Sequence, residues 1–242
     1  MVNVSSPLNE DLKGYDLFPE RKGKVEKESL AKRIIVGDGG RDTLTRLKCE
    51  NDVATCIRNA PIVKLMLAAL KSSGCEVDPK RHISCEPCNS AVTGGYDAEA
   101  NQVVICQNNV SGSGLVQGVL AHELLHMFDK CRTKMDYNNN EHVACTEIRA
   151  ANLLHCSFLS AFVQGVASPF SFSKSHENCV RYKAIQSLVA AKKLSVFEAA
   201  YNVDKVFNVC YNDLEPVGRR LRRNSQDMEK AYRDRYHNGY GF

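Results

Sequence analysis

This sequence has no apolar run long enough to cross a bilayer. Its longest, Leu153 to Ala167, is broken by His155, Ser157, Ser160 and Gln164, whereas a spanning helix needs about 20 mostly apolar residues. Residues 1–30 also lack the apolar core of a secretory signal, and they carry Glu10, Asp11, Asp16, Glu20, Glu26 and Glu28. Arginine-rich transit peptides avoid such acids, so neither kind of leader is expected. Charge of one sign is not in large excess: the net charge of +4 gives no argument for nucleic acid as a partner. There is no internal repeat and no low-complexity tract. Only one C-x-x-C occurs, Cys85-Glu86-Pro87-Cys88, and a zinc ribbon wants two such pairs at regular spacing.

What is present is the composition of a folded chain. Its 242 residues are 43% hydrophobic and 25% charged, enough for a sizeable core. Eleven cysteines, at 49, 56, 75, 85, 88, 106, 131, 145, 156, 179 and 210, are spread along most of it. That spread fits a disulfide framework better than a cysteine-ligated metal or scattered core thiols, and an odd count leaves at least one thiol outside any internal pairing. Disulfides without a secretory signal point to an unusual oxidising compartment, of which the mitochondrial intermembrane space is one; reduced thiols in the cytosol are the plain alternative.

Along the chain, residues 1–45 read as a flexible, polar N-terminal arm with a short helix at 25–34. Apolar residues at helical spacing predict a helix over 50–71, kinked or split at Pro61. Residues 81–110 read as short strands, with Ala91–Thr93 and Val103–Cys106 β-prone and Gly94-Gly95 and Asp97–Asn101 as turns. Further helices are expected over Leu115–Cys131, 142–163, 177–193 and 196–210, with a loop at Ser168–Ser175. From Glu215 to Phe242 the sequence is basic and aromatic without clear periodicity.

One motif carries chemistry. His122-Glu123-Leu124-Leu125-His126 is H-E-x-x-H. On a helix, residues i and i+4 share a face, so His122 and His126 can offer two imidazole nitrogens to one zinc ion. Glu123 stands beside them as general base and later acid, moving a proton from the metal-bound water to the leaving amine. The flanking Leu120, Ala121, Leu124, Leu125, Met127 and Phe128 are uncharged, as a buried active-site helix requires.

A third protein ligand is needed, with the fourth position open for water. Glu147 is the first candidate, because Val143, Ala144, Ala150 and Ala151 around it allow a close approach to the first helix. His142 is the rival. It lies about 140° from Glu147 around a helix, so the two cannot share one role, and it could instead steady the oxyanion. His155 reads as a packing or capping residue. Val103–Cys106 reads equally as a substrate-aligning edge strand or as a plain core strand. Cys85 and Cys88 are each expected to have a separate disulfide partner. The basic tail with Arg219, Arg220, Arg222 and Arg223 suits an anionic membrane surface or simple solvation.

The segments Arg81–Cys88, Val104–Asn109, the HELLH helix, Ala144–Ala150, Cys179-Val180-Arg181, Val206-Phe207 and Asn212–Arg219 together resemble the mitochondrial inner-membrane metalloprotease family that processes a membrane-sector subunit of ATP synthase and assists its assembly. The resemblance covers roughly residues 45–240. It implies an α+β, zincin-like fold, helix-rich with a small β-sheet and disulfide cross-links, over residues 46–242 with the basic C-terminal tail. It implies Zn2+ as cofactor and peripheral attachment to the inner membrane on its intermembrane-space side. It also implies an ATP synthase membrane-sector subunit precursor as partner. The site set is then Glu123 as catalytic residue with His122, His126 and Glu147 as metal ligands. Two rival functions remain from the same resemblance: a non-proteolytic assembly chaperone, and a nuclear partner of the Ku DNA-repair protein, for which animal relatives are named. The stretch between Cys156 and Cys179, with Phe158, Phe162, Pro169, Phe170 and Phe172, looks like an insertion.

Overall fold

Pro61 sets the first bend of the chain. Lacking an N–H, it cannot continue a helix but is well placed to begin one. Helix α1 (Asp38–Asn59) ends just before it, and α2 (Pro61–Ser72) starts on it, the two axes differing by 77°. The helix expected over 50–71 is therefore split rather than kinked, and its first half starts at Asp38, inside the stretch read as an arm. A computed structural model describes Phe18 and residues 38–157, 172–220 and 224–241. The helix expected at 25–34 lies outside them.

A one-turn helix, α3 (Pro79–His82), is capped by the Asp78 side chain and leads into strand β1 (Ile83–Glu86). Strands β2 (Gly94–Asp97) and β3 (Gln102–Cys106) follow. The sheet order is β1-β3-β2, with β1 parallel and β2 antiparallel to β3. Val103–Cys106 is thus the central strand and fully buried, not an edge: the hairpin folds β2 over its free side. Gly94-Gly95, read as a turn, belongs to that edge strand, while Ala91–Thr93 precedes it. The reason is steric. A Cβ on Gly94 would come 2.4 Å from Val119 Cγ1 and 2.8 Å from the Val104 carbonyl oxygen, so only glycine lets the strand lie this close to the next helix.

That helix is α4 (Ser113–Arg132), followed by α5 (Asn140–Ala150), which is capped by the Asn139 side chain. A π-helical turn, Ala151–His155, continues α5. The helix expected over 142–163 is therefore α-helical only to Ala150, and residues 158–163 lie outside the described ones. Helix α6 (Phe172–Lys192) begins within the expected loop, and α7 (Val196–Asn212) opens with a reciprocal Ser195–Glu198 cap. The tail, read as aperiodic, forms α8 (Asn224–Asp234).

Among the described residues two large apolar clusters result, with a small third one of Cys88, Val104 and Cys106 on the sheet. One joins α1, α2, α4, α8 and the inner face of the sheet around Leu65, Met66, Leu120, Leu124 and Phe128; the other joins α5, α6 and α7 around Ile148, Leu188 and Phe207. Helices α4 and α5 meet where the clusters adjoin, and the motif residues lie there.

Five disulfides tie the two halves internally: Cys49–Cys85, Cys75–Cys131 and Cys88–Cys106 in the first, Cys145–Cys210 and Cys156–Cys179 in the second. Cys85 and Cys88 take separate partners, as expected, and the odd thiol is the buried Cys56. The fold is α+β, helix-rich with a small sheet and disulfide cross-links. No single helix among the described residues is long and apolar enough to cross a membrane; the bent α1–α2 pair passes on length and composition alone, and α2 is the heart of the first core.

Candidate metal centre

Helix α4 is buried on most sides by Val116, Leu120, Leu124, Leu125 and Phe128. Its polar residues His122, Glu123, His126 and Asp129 sit among them. Such a helix keeps buried polar groups only if they find partners. The i,i+4 spacing of His122 and His126 brings their Nε2 atoms to 2.9 Å from each other. Glu147 of α5 reaches them from across the interface, with Oε2 3.6 Å from His122 Nε2 and Oε1 3.5 Å from His126 Nε2. Two ligands about 2.0 Å from a tetrahedral zinc stand about 3.3 Å apart, so these three groups are at ligand spacing. One donor atom each from His122, Glu123 and His126 also lie within 4.8 Å of one another.

The donor set fits a cation on two further grounds. Glu147 Oε2 is buried with no hydrogen-bond partner, and such an atom is costly unless something positive faces it. Burial pushes the Glu147 carboxyl up to about 7, against the pull of the Ser187 hydroxyl. Burial, then the nearby Glu147 carboxylate, holds Glu123 well above the usual carboxylate range. Burial keeps the imidazoles neutral: His126 is lowered to about 3, with His155 and Arg149 adding to the effect. His122 lies well below its ordinary value through burial, His126, His155 and Lys183, in that order. Neutral imidazoles are the ligand form, and two raised carboxyls mark a site short of positive charge.

The structure brings together His122, Glu123, His126 and Glu147. It does not bring His142 to them. That side chain is exposed, and its Nδ1 accepts from the Asp136 backbone N–H at 3.1 Å, away from the cluster. His155, read as packing or capping, instead places Nε2 2.8 Å from His122 Nδ1. Burial lowers its pKa to about 4, helped by Lys183. Sequence spacing hides this contact: on a regular α-helix His155 would lie about 80° past Glu147, and the π turn, with more residues per revolution, takes up that excess rotation. Thr146, with Nδ1 of His126 2.8 Å from its hydroxyl, was also not singled out, although it precedes Glu147 directly.

The edge strand β2 borders the site. The position of a Cβ on Gly94 is 3.7 Å from Glu123 Cγ, so the strand runs alongside the candidate general base. Tyr137 closes another side, donating from its hydroxyl to the His126 carbonyl at 3.2 Å, with its ring 5.9 Å from that of Tyr96 on β2.

Comparison with known proteins points to a peptidase. The Peptidase M76 family matches residues 47–218, a span that contains the HELLH helix, Glu147 and His155. A Danio rerio protein named mitochondrial inner membrane protease ATP23 homolog is 40% identical over 234 residues, covering 95% of this chain and 87% of its own length. The Homo sapiens protein of the same name is 41% identical over 189 residues, 77% of this chain and 75% of that protein. Mitochondrial inner membrane protease ATP23 of Saccharomyces cerevisiae is 31% identical over 210 residues, 84% of this chain and 88% of its own. No solved structure matches. With the match spanning most of the fold and these relatives aligned over most of their length, the chain belongs to the peptidase M76 family.

Proposed function

We propose that the chain is a zinc metalloendopeptidase that cleaves a mitochondrial inner-membrane protein precursor, the membrane-sector subunit of ATP synthase, and assists ATP synthase assembly. It would act at the inner membrane, attached peripherally on the intermembrane-space side. The observation that carries the enzymatic reading is the convergence of His122, His126 and Glu147 at ligand spacing with Glu123 beside them. Two imidazoles and one carboxylate leave one coordination position open, the pattern of catalytic rather than structural zinc. The names of the relatives support a protease at the inner membrane. Five disulfides suit an oxidising space.

His122, His126 and Glu147 would hold the ion. When bound, zinc supplies a water of pKa about 7 and polarises the scissile carbonyl. The rest is the work of this chain. Glu123, only 7% exposed, sits where it can take the proton of the attacking water. Its raised affinity for that proton matches the task of holding it and then giving it to the departing amine nitrogen. Edge strand β2, with Gly94 against Glu123, offers backbone groups to an extended peptide. Burial of the cluster excludes bulk water, which strengthens each of these interactions.

For the membrane contact, Phe197 and Tyr201 lie one turn apart on the open side of α7, 89% and 68% exposed. Aromatic side chains of this kind favour the headgroup region. No nucleic-acid partner is expected. The test is a Glu123→Gln variant supplied with the precursor: a preparation that keeps its metal and still cleaves at the wild-type rate overturns the enzymatic reading. A variant that no longer cleaves yet still supports assembly identifies the non-proteolytic role beside it.

A further inference from the structure

His126 is held by residues that do not face the metal position. Its Nδ1 lies 2.8 Å from Thr146 Oγ1, and the same oxygen lies 2.8 Å from Asp129 Oδ2. A hydroxyl has one hydrogen to give. Asp129 has none to return: Arg149 Nε lies 3.1 and 3.0 Å from its two oxygens, and Arg132 Nε lies 3.2 Å from Oδ1. A carboxylate clamped between two guanidinium groups only accepts. Thr146 must therefore donate to Asp129, and its oxygen is left to accept from His126.

We infer that Thr146 is a positioning residue that locks His126 in the Nδ1–H tautomer, and that the loop after α7 holds this lock in place through Arg149 and Asp129. The inference rests on the reading of His126 as a metal ligand. In that tautomer the lone pair is on Nε2, the atom that faces His122 and Glu147. The alternative tautomer would put a hydrogen there and block coordination. An imidazole free to exchange would spend part of its time in the wrong form, and fixing it beforehand removes that cost from metal binding.

The loop enters through Arg149, which is 1% exposed and carries a full guanidinium. Its Nη1 is 2.6 Å from Asp213 Oδ1 and 3.3 Å from the Asp213 carbonyl oxygen, and its Nη2 donates to the Glu215 carbonyl. Arg132 pairs with Asp213 and, at 3.2 Å, with Glu215. A chain of polar contacts thus runs from the loop at Asp213–Glu215 through Arg149, Asp129 and Thr146 to the metal-facing imidazole. It joins α4, α5 and the segment after α7; its inner members His126, Thr146, Asp129 and Arg149 are buried, where an unpaired group would be expensive.

The experiment compares full-length, oxidised wild-type protein with Thr146→Val and Thr146→Ser. Zinc affinity is measured by competition with a chelator, and the His126 tautomer by nitrogen-15 NMR of the metal-free protein. Val keeps the branched shape without the acceptor; Ser keeps the acceptor without the methyl. The expected result is a 10- to 100-fold weaker zinc affinity for Val, with loss of the single Nδ1–H signature, and both restored in Ser to within about threefold. Thr146→Ala gives the same comparison if the Val variant does not fold. Wild-type affinity with an unchanged tautomer in Val, or a Ser variant as weak as Val, overturns the inference. If the wild type itself binds no zinc, the metal reading fails, while the tautomer in the metal-free protein still decides whether Thr146 sets it.

Discussion

The Nε2 atoms of His122 and His126 face each other at 2.9 Å, closer than two lone pairs tolerate unless a cation or a proton lies between them. Burial lowers the pKa of both rings and so keeps them neutral, the form that binds a metal ion. The purified protein is therefore expected to hold close to one zinc per chain, and His126→Ala to lose it, as elemental analysis after dialysis will show. Stoichiometric zinc retained by His122→Ala/His126→Ala would move the metal elsewhere.

Glu123→Gln removes the proton acceptor while keeping the shape beside Gly94. Cleavage of the precursor should fall by roughly 10²- to 10⁴-fold, with zinc content and melting temperature close to wild type. Undiminished turnover sinks the assigned role.

Glu147 and His142 should separate cleanly in a metal titration under identical conditions. A neutral amide is a poorer ligand for a divalent ion, so Glu147→Gln should weaken zinc binding at least tenfold. His142→Ala should leave it unchanged, because that ring is exposed and engaged with the Asp136 backbone. The reverse pattern would require a three-histidine site that these positions do not form.

Non-reduced protein, unfolded and alkylated, should show a single modified cysteine, Cys56, by mass spectrometry. In the folded protein that thiol should label slowly, since burial and the neighbouring Asp52 raise its pKa and its Sγ is engaged with the Ser113 carbonyl at 3.3 Å. The Cys145–Cys210 bridge closes a separation of 65 residues, which loop entropy values at about 4 kcal/mol. A Cys145→Ala/Cys210→Ala variant should melt well below wild type, and eleven alkylated thiols would remove the framework altogether.

Acid should weaken the second half of the molecule through His176. This fully buried ring lies 2.6 Å from the Cys156 carbonyl at Nε2 and 2.8 Å from the Tyr211 hydroxyl at Nδ1, and burial lowers its pKa. The unfolded imidazole then takes up a proton at higher pH than the folded one. The stability contributed by the neutral ring is complete above the unfolded pKa of about 6.5 and is lost as pH falls toward the folded value. Denaturant melts from pH 7 to pH 5 should show declining stability, with a shallower decline in His176→Gln. An equal slope in both proteins assigns the acid sensitivity to other groups.

Several of these features could be read from the chain before any coordinates. H-E-x-x-H puts two imidazoles on one face because the α-helix repeats every 3.6 residues, and small residues around Glu147 pointed to the helix that would meet them. Eleven spread cysteines without a second C-x-x-C gave the disulfide framework, and Pro61 gave the break between α1 and α2. These are local rules, and each needs only residues within about a turn, or a count. Tertiary packing decided the rest. Which cysteines pair could not be told from spacing, because separations from 18 to 65 residues are all used. His155 reached His122 only because a π turn shifted its phase. Val103–Cys106 became the central strand because a glycine allowed β2 to cover it. The link from Asp213 and Glu215 through Arg149 and Asp129 to Thr146 and His126 spans three separate segments. Its members have no periodic relation in the sequence, so only the packing of α4 against α5 and the return of the chain after α7 could bring them within hydrogen-bonding distance.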